Sequence, residues 1–266
     1  RYVDTYGISN SNNLPGTSFE DKGNKNITWE TQTNFNAGVE FTLLKRISGS
    51  IEYYYRKTSD MLMRYSVAPS IGYTSYYANV GDLYNTGVEV DLDINILRTK
   101  NVNWDFDVNI SSIKNRVSKL AEEHQNAYYY TADGKKLKGF TDDSFFITEG
   151  QSIYTWRMKD YAGVDPETGE AMWWKNTFAM NEDGTFKLDA DGEKVWSGRE
   201  KTKVYNDADY YVTEETTVPK WQGGFGSNLK AYGFDLSFHC TFQFGGRAYD
   251  STYAQFMSSP TSNNGG

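Results

Sequence analysis

The sequence predicts an all-β protein, an antiparallel transmembrane β-barrel with long extracellular loops. Apolar and polar residues alternate through several stretches, as in strands whose two faces meet different surroundings. Aromatic residues make up 16% of the 266 residues, and 24 Gly accompany only 5 Pro, which favours β structure. Short turns join strands at one rim and long polar connections join them at the other, which is the organisation of an outer-membrane barrel.

The first two predicted strands cover residues 29–44 and 47–64. In the first, odd positions carry Phe35, Val39 and Phe41, whereas even positions carry Gln, Asn, Glu and Thr. After the pair Lys45-Arg46 the alternation resumes in "ISGSIEYYYRKT". Two alternating stretches separated by so short a join predict a β-hairpin.

The stretch "GVEVDLDINI" is the clearest part of the third predicted strand, residues 80–97, because Val, Leu and Ile alternate strictly with Glu, Asp and Asn. The same pattern predicts strands at 103–118, 221–231 and 234–246. Tight joins at 98–102 and at Tyr232-Gly233 connect neighbouring strands.

Long polar connections lie at 66–79, at 119–220 and after Gly246. The strand before 119–220 runs toward the long-loop rim and the strand after it runs away, so this section holds zero spanning strands or an even number. The tetrapeptides "NEDG" and "DADG" within it predict turns of small hairpins. We expect 119–220 to be mainly an extracellular loop region.

Composition excludes some functions. The net charge of −8 and a pI near 4.9 argue against a nucleic-acid partner, because phosphate binding requires basic patches. One cysteine, Cys240, cannot form an internal disulfide. No run of 18 apolar residues predicts a transmembrane helix. Because the chain begins at Arg1 without Met, we expect it to be processed or to be a piece of something longer.

In the predicted barrel the apolar parity of each strand meets lipid and the polar parity meets the lumen. The predicted lumen-facing residues are Glu52, Arg56, Glu89, Asp91, Asp93, Asp105, Asp107, Asp235 and His239. The acidic row could be a cation site, but Ca²⁺ requires six to eight oxygens converging from a loop. We therefore expect a solvated lumen wall or a plug contact.

Neither a metal site, a cofactor nor catalysis is predicted. His124 and His239 are the only histidines and lie far apart in the sequence, and Cys240 falls on the opposite parity from His239. No nucleophile elbow is present. Among 35 acidic residues some pair always meets the spacing of a glycosidase, so such a pair carries no information.

Aromatic clusters in the predicted loops, "YTSYY", "YYY" and "MWW", could stack a sugar ring or pack a peptide. The candidate ligand contacts are Trp173, Trp174, Tyr76, Tyr77 and Tyr129. The alternative interpretations are an aromatic belt at the membrane interface, or packing of the loops against themselves or a partner.

Five blocks in order resemble the C-terminal barrel half of SusC-like TonB-dependent transporters of Bacteroidetes. They are "WETQTNFNAGVEF", "GSIEYYYRKTSDML", "NVGDLYNTGVEVDL", "YAGVDPETGEAMWW" and "PKWQGGFGSNLKAYGFDLSFHCTFQFGG". The resemblance spans almost all of residues 1–266 and implies a fragment of a 22-stranded barrel. The plug, the TonB-contacting segment and the final strand of such transporters are expected to be absent from it.

The resemblance also implies an outer-membrane importer of oligosaccharides or peptides. Its expected partners are a SusD-like surface lipoprotein, the TonB complex through the missing N-terminal part, outer-membrane lipid, and a glycan or peptide substrate. The match in "MWW" makes Trp174 partly a structural position.

Two alternatives remain open at this point. A soluble cell-surface glycan-binding β module would bury its apolar parity and would stay soluble without detergent. A secreted glycan-degrading enzyme would show turnover that one carboxylate substitution abolishes.

Overall fold

The computed structural model describes residues 2–11, 14–190 and 192–256. Its strands are β1 (Thr5–Ser11), β2 (Leu14–Asp21), β3 (Thr31–Leu43), β4 (Ile47–Ser66), β5 (Ser75–Arg98), β6 (Val102–Ser112), β7 (Lys114–Leu120), β8 (Ala127–Tyr130), β9 (Lys136–Asp142), β10 (Phe145–Thr148), β11 (Thr155–Lys159), β12 (Tyr161–Val164), β13 (Ala171–Phe178), β14 (Trp196–Thr202), β15 (Tyr210–Thr216), β16 (Trp221–Ala231) and β17 (Phe234–Phe244). A short helix, α1, spans Ser251–Phe256. No helix among these residues is long and apolar enough to cross a membrane.

The main sheet runs in the order β17-β16-β6-β5-β4-β3, with β7 also paired to β5. Every pairing in it is antiparallel, so the prediction of an all-β antiparallel fold is confirmed. The strands are joined by the tight turns that the sequence predicted around Lys45, 98–102 and Tyr232. β16 lies directly beside β6, so 119–220 adds no strand between them.

Irregular backbone in β4 and β5 changes which side chains share a face. Asp60 has φ 55° and Gly81 has φ 153°, and the β4–β5 register shifts between Thr58 and Leu62. β5 continues past this bulge and begins at Ser75, five residues before the predicted start. The prediction started too late because strict alternation stops at the bulge.

The strand predicted at 103–118 is divided into β6 and β7. At Gly87 an added Cβ would lie 1.9 Å from the Ser112 carbonyl oxygen, so only glycine allows the two backbones to approach. This contact lies where the chain passes from β6 to β7.

Residues 119–220 form a folded loop region. β8, β9, β10, β11 and β15 close into a small barrel, and β12, β13 and β14 form a three-stranded sheet. The turn expected at "NEDG" is enclosed by the bridge between Met180 and Phe186. The bridge between Leu188 and Lys194 encloses "DADG", of which Asp191 lies outside the described residues.

The buried core lies where β4, β5 and β7 meet the loop region. Its largest cluster contains Met61, Tyr65, Ala78, Val80, Leu83, Val117, Leu120, Phe140 and Ile147. A second cluster, Leu137, Phe146 and Val212, fills the small barrel. Gly150 N donates to Val117 O over 2.8 Å, so the junction is also hydrogen-bonded.

The rest of the main sheet exposes a large apolar face. Its exposed members are Phe35, Val39, Leu43, Ile51, Tyr53, Val88, Trp104, Trp221, Phe234, Leu236, Phe238 and Phe244. Contiguous apolar surface of this extent marks a membrane or protein contact.

Candidate functional site

All nine predicted lumen-facing residues lie on one face of the main sheet, which we call the polar face. Direct register partners share a face, and Glu52 lies opposite Glu89, while Asp93 lies opposite Asp107. The remaining members follow by alternation along β4, β5, β6 and β17, whose pairings keep the same parity there. The prediction that this face borders a lumen remains a prediction at this point.

Acidic side chains dominate the polar face. In two cross-strand pairs a carboxylate lies directly opposite another carboxylate. Like charges in this position destabilise the pairing of the strands unless water or cationic groups screen their repulsion. A cavity of about 900 Å³ is lined by Glu52, Glu89 and Asp91, and a neighbouring cavity of about 390 Å³ by Asp93 and Asp107. This face therefore fits a hydrated or basic environment.

Local hydrogen bonds hold several of these side chains. Asp105 Oδ1 accepts from Asn95 Nδ2 over 2.6 Å, and Arg56 Nε donates to Asn34 Oδ1 over 3.1 Å. His239 Nδ1 lies 3.9 Å from Asp107 Oδ2. Within residues 2–11, 14–190 and 192–256, no three His, Cys, Asp or Glu side chains are arranged to hold a metal ion.

Tyr76 and Tyr77 are separated by the alternation of β5. Tyr76 packs edge-on against Tyr65, at 5.8 Å between ring centres, and against Tyr73, at 6.1 Å. The Tyr77 side chain lies on the other face, and its backbone carbonyl accepts from Asn24 Nδ2 over 3.0 Å. Tyr76 thus belongs to the packing around the main core.

Trp173 and Trp174 also lie on opposite faces, because they are neighbours on β13. Trp174 is covered by Arg199, whose guanidinium lies 4.6 Å from the ring centre. Trp173 packs edge-on against Tyr205 at 5.2 Å. The two indoles therefore do not form one platform.

Tyr129 begins a row of alternating aromatic and cationic side chains. The Arg157 guanidinium lies 5.0 Å from the Tyr129 ring centre and 4.2 Å from that of Tyr210. Lys159 Nζ lies 5.4 Å from the Tyr210 ring centre and 4.1 Å from that of Tyr205. Cations over aromatic faces are attracted by the ring quadrupole.

This cation–aromatic row borders a cleft of about 390 Å³, which we call the loop cleft. Its lining includes Tyr129, Tyr130, Lys159, Asn176, Asp209 and Tyr210. Of these residues the sequence pointed to Tyr129, a candidate ligand contact, and to Tyr130, its neighbour in the cluster "YYY". The spacing of Arg157 and Lys159 could have revealed the cationic side chains, because residues two positions apart lie on one face of a strand.

Two ionisable groups of the loop region have strongly shifted pKa values, for different reasons. Burial raises the pKa of Tyr211 to about 12, and the Asp209 carboxylate adds to this effect. At the turn after β12, the Lys203 ammonium lowers the pKa of Asp165 to about 2. Lys203 also pairs with Glu170 over 2.9 Å, so both carboxylates are held in their charged form.

Comparison with known proteins covers nearly the whole chain. The family model described as "TonB dependent receptor-like, beta-barrel" matches residues 2–265. The TonB-dependent receptor SusC of Bacteroides thetaiotaomicron is 34% identical over 118 residues, which are 44% of this chain and 12% of that protein. The TonB-dependent receptor P3 of Formosa agariphila is 24% identical over 262 residues, which are 97% of this chain and 25% of that protein.

A solved structure of the RagAB peptide transporter is similar with a TM-score of 0.70 and 25% identity. The similarity covers 92% of this chain and 24% of that one. The chain therefore spans no more than 25% of the length of any of these three proteins.

Proposed function

The chain belongs to the TonB-dependent receptor-like β-barrel family, and from this premise we propose that it supplies barrel wall and cell-surface loops to an outer-membrane importer. The resemblance to SusC-like transporters is confirmed, as is the outer-membrane location. This family consists of transporters and receptors. We propose no catalytic role.

The proposed importer takes up oligosaccharides or peptides, acts with a SusD-like surface lipoprotein and is energised through TonB. Similar proteins include a receptor named SusC and a peptide transporter. The 22-stranded barrel and the extracellular position of the loop region are parts of the same proposal.

One observation carries the proposal best: the main sheet has one apolar face and one acidic face. Phe234, Leu236 and Phe238 stand exposed on the first, where lipid would cover them. The carboxylates of the second would face a wet lumen or a plug. A soluble glycan-binding module would have to bury the apolar face, and no described element covers it.

Uptake by cells tests the proposal. Cells with and without the gene, and cells lacking TonB, are given labelled neutral oligosaccharides or a labelled peptide digest. We expect uptake of one class that disappears in both mutants. Equal uptake in all three strains would overturn the importer. Co-purification of a surface lipoprotein with the tagged protein tests the partner separately.

A further inference from the structure

The three short turns of the main sheet lie side by side at one end of it. They join β3 to β4, β5 to β6 and β16 to β17. Because the strand order is β17-β16-β6-β5-β4-β3, these turns follow one another along a single edge of the protein. We call the turns and the strand ends beside them, residues 44–46, 98–102 and 230–235, the short-turn rim.

The short-turn rim is basic, although the chain as a whole has 35 acidic and only 27 basic residues. It contains one anion, Asp235, and five cations: Lys45, Arg46, Arg98, Lys100 and Lys230. All five cationic residues are exposed, and none of them forms an ion pair with a residue that the structure describes. A cluster of unpaired cations attracts an anionic partner.

Two neighbouring turns of the short-turn rim enclose a groove of about 240 Å³, which we call the rim groove. Lys100 and Lys230 border it together with Asp235. Tyr232 N donates to the Asn101 carbonyl over 3.1 Å, so the two turns are held at a fixed spacing. The volume is below the range for drug-sized ligands and suits one small polar group. Two cations and one anion match a phosphodiester, which carries a single negative charge.

Exposed apolar side chains stand beside these cations. Leu44 and Tyr232 both have φ 53°, and the residue after each, Lys45 and Gly233, also has a positive φ. This is the backbone of type I′ turns, which prefer Asn, Asp and Gly. Leu44 is nevertheless 87% exposed and Tyr232 76% exposed, so packing within the described residues does not account for them. Apolar residues at such positions indicate a contact outside this chain.

The apolar face of the main sheet reaches the same rim. Phe234 and Trp104 are exposed on it, opposite Ala231 and Leu229. Cations and apolar side chains therefore meet at one level of the molecule. A free phosphate ion or an acidic protein segment would match the cations alone. A phospholipid matches both, because its phosphate is joined to acyl chains.

We propose that the short-turn rim binds anionic phospholipids of the periplasmic leaflet, because the short turns of outer-membrane barrels face the periplasm. The phosphodiester would lie in the rim groove between Lys100 and Lys230. Leu44 and Tyr232 would enter the boundary between headgroups and acyl chains, and the acyl chains would cover Phe234. This inference goes beyond the importer function and rests on the barrel wall proposed above.

Native mass spectrometry of the complete transporter, purified in detergent from outer membranes, tests the proposal. The probes are phosphatidylglycerol and phosphatidylcholine with the same palmitoyl and oleoyl chains. Each basic side chain near an anionic lipid surface strengthens binding by about fivefold. We therefore expect phosphatidylglycerol to bind at least about fivefold more tightly than phosphatidylcholine, and the double variant Lys100→Gln with Lys230→Gln to weaken phosphatidylglycerol binding by about tenfold or more.

Matched variants separate charge from folding. Lys100→Arg with Lys230→Arg keeps both charges and should change the affinity for phosphatidylglycerol by less than about threefold. Lys25→Gln with Lys187→Gln removes two exposed lysines from outside the short-turn rim and should leave that affinity unchanged.

The apolar contacts have their own variant, Leu44→Asn with Tyr232→Asn. Asparagine suits the backbone of both turns, so the turns should not be weakened. Loss of the apolar contacts should weaken phosphatidylglycerol and phosphatidylcholine alike, by about fivefold or more. Unchanged binding of both lipids would contradict the assignment of Leu44 and Tyr232.

Three results would overturn the proposal as a whole. They are equal affinity of the wild type for the two lipids, equal affinity of the wild type and the double glutamine variant for phosphatidylglycerol, and complete displacement of the lipid by millimolar inorganic phosphate or by hexaglutamate. The importer function fails separately. Phosphatidylglycerol binding through Lys100 and Lys230 in a protein that imports nothing would contradict the importer alone, whereas TonB-dependent uptake without any preference for phosphatidylglycerol would contradict the short-turn rim alone.

Discussion

Replacing Phe146 by alanine tests whether the small barrel of the loop region has a core of its own. Phe146 is fully buried among Leu137 and Val212, and its ring meets Tyr129 edge-on at 5.1 Å. Removal of a buried phenylalanine costs about 3–5 kcal/mol, part of it from the lost ring pair. Since each 1.4 kcal/mol is a factor of about ten, the open population should rise by about 10² to 4 × 10³.

Limited proteolysis of the purified protein measures this population, because cleavage tracks the open form when reclosing is fast. The matched control is Phe186→Ala, which removes the same side chain from a site that is 39% exposed. It should change the cleavage rate by less than about threefold. Equal cleavage rates for Phe146→Ala and Phe186→Ala would refute the argument that Phe146 holds a folded unit together.

Three further changes follow from the charges and faces described. Val39→Arg should cost about 2–4 kcal/mol if Val39 meets lipid near the bilayer centre, whereas Glu40→Arg should cost about 0.5 kcal/mol or less; equal folded fractions on a gel-shift assay would contradict this. Lys203→Met should raise the pKa of Asp165 from about 2 toward its ordinary 3.8, so that the stability this pair contributes above pH 3.8, which the wild type loses as pH falls toward 2, becomes smaller; an unchanged carboxyl titration by NMR would count against it. The raised pKa of Tyr211 stabilises the fold below pH 10, and this contribution is lost as pH rises toward about 12; Tyr211→Phe should therefore weaken the alkaline loss of protection in hydrogen exchange, and an identical alkaline midpoint would argue against it.

The strands of the main sheet could be predicted because each separates two different surroundings and so alternates strictly. Prediction was less accurate where alternation stops, as at Gly81, where a bulge reverses the parity of β5. β1 and β2 were missed, since "TYGISNS" and "LPGTSFED" show no sustained alternation. The small barrel was missed for a related reason: Phe146, Ile147 and Thr148 of β10 are consecutive and all buried.

The polar face was predictable residue by residue, because position along a strand determines the face. The loop cleft was not, because its lining comes from strands far apart in the sequence. Tyr129, Lys159, Asn176 and Tyr210 lie on β8, β11, β13 and β15. Only tertiary pairing, such as that of Lys159 with Tyr210, brings them together.

Measuring whether lipid or water surrounds neighbouring side chains of the main sheet tests the barrel wall most directly. In a Cys240→Ser background, single cysteines replace Ile51, Glu52, Val90 and Asp91 in turn, and each is spin-labelled in outer membranes. The rate at which the spin label collides with oxygen then reports its exposure to lipid, and the rate with a water-soluble nickel complex reports its exposure to water. A barrel wall with one face in lipid should give high oxygen and low nickel accessibility at Ile51 and Val90, and the reverse at Glu52 and Asp91. Nickel accessibility at Ile51 and Val90 equal to that at Glu52 and Asp91 would contradict a barrel wall with one face in lipid.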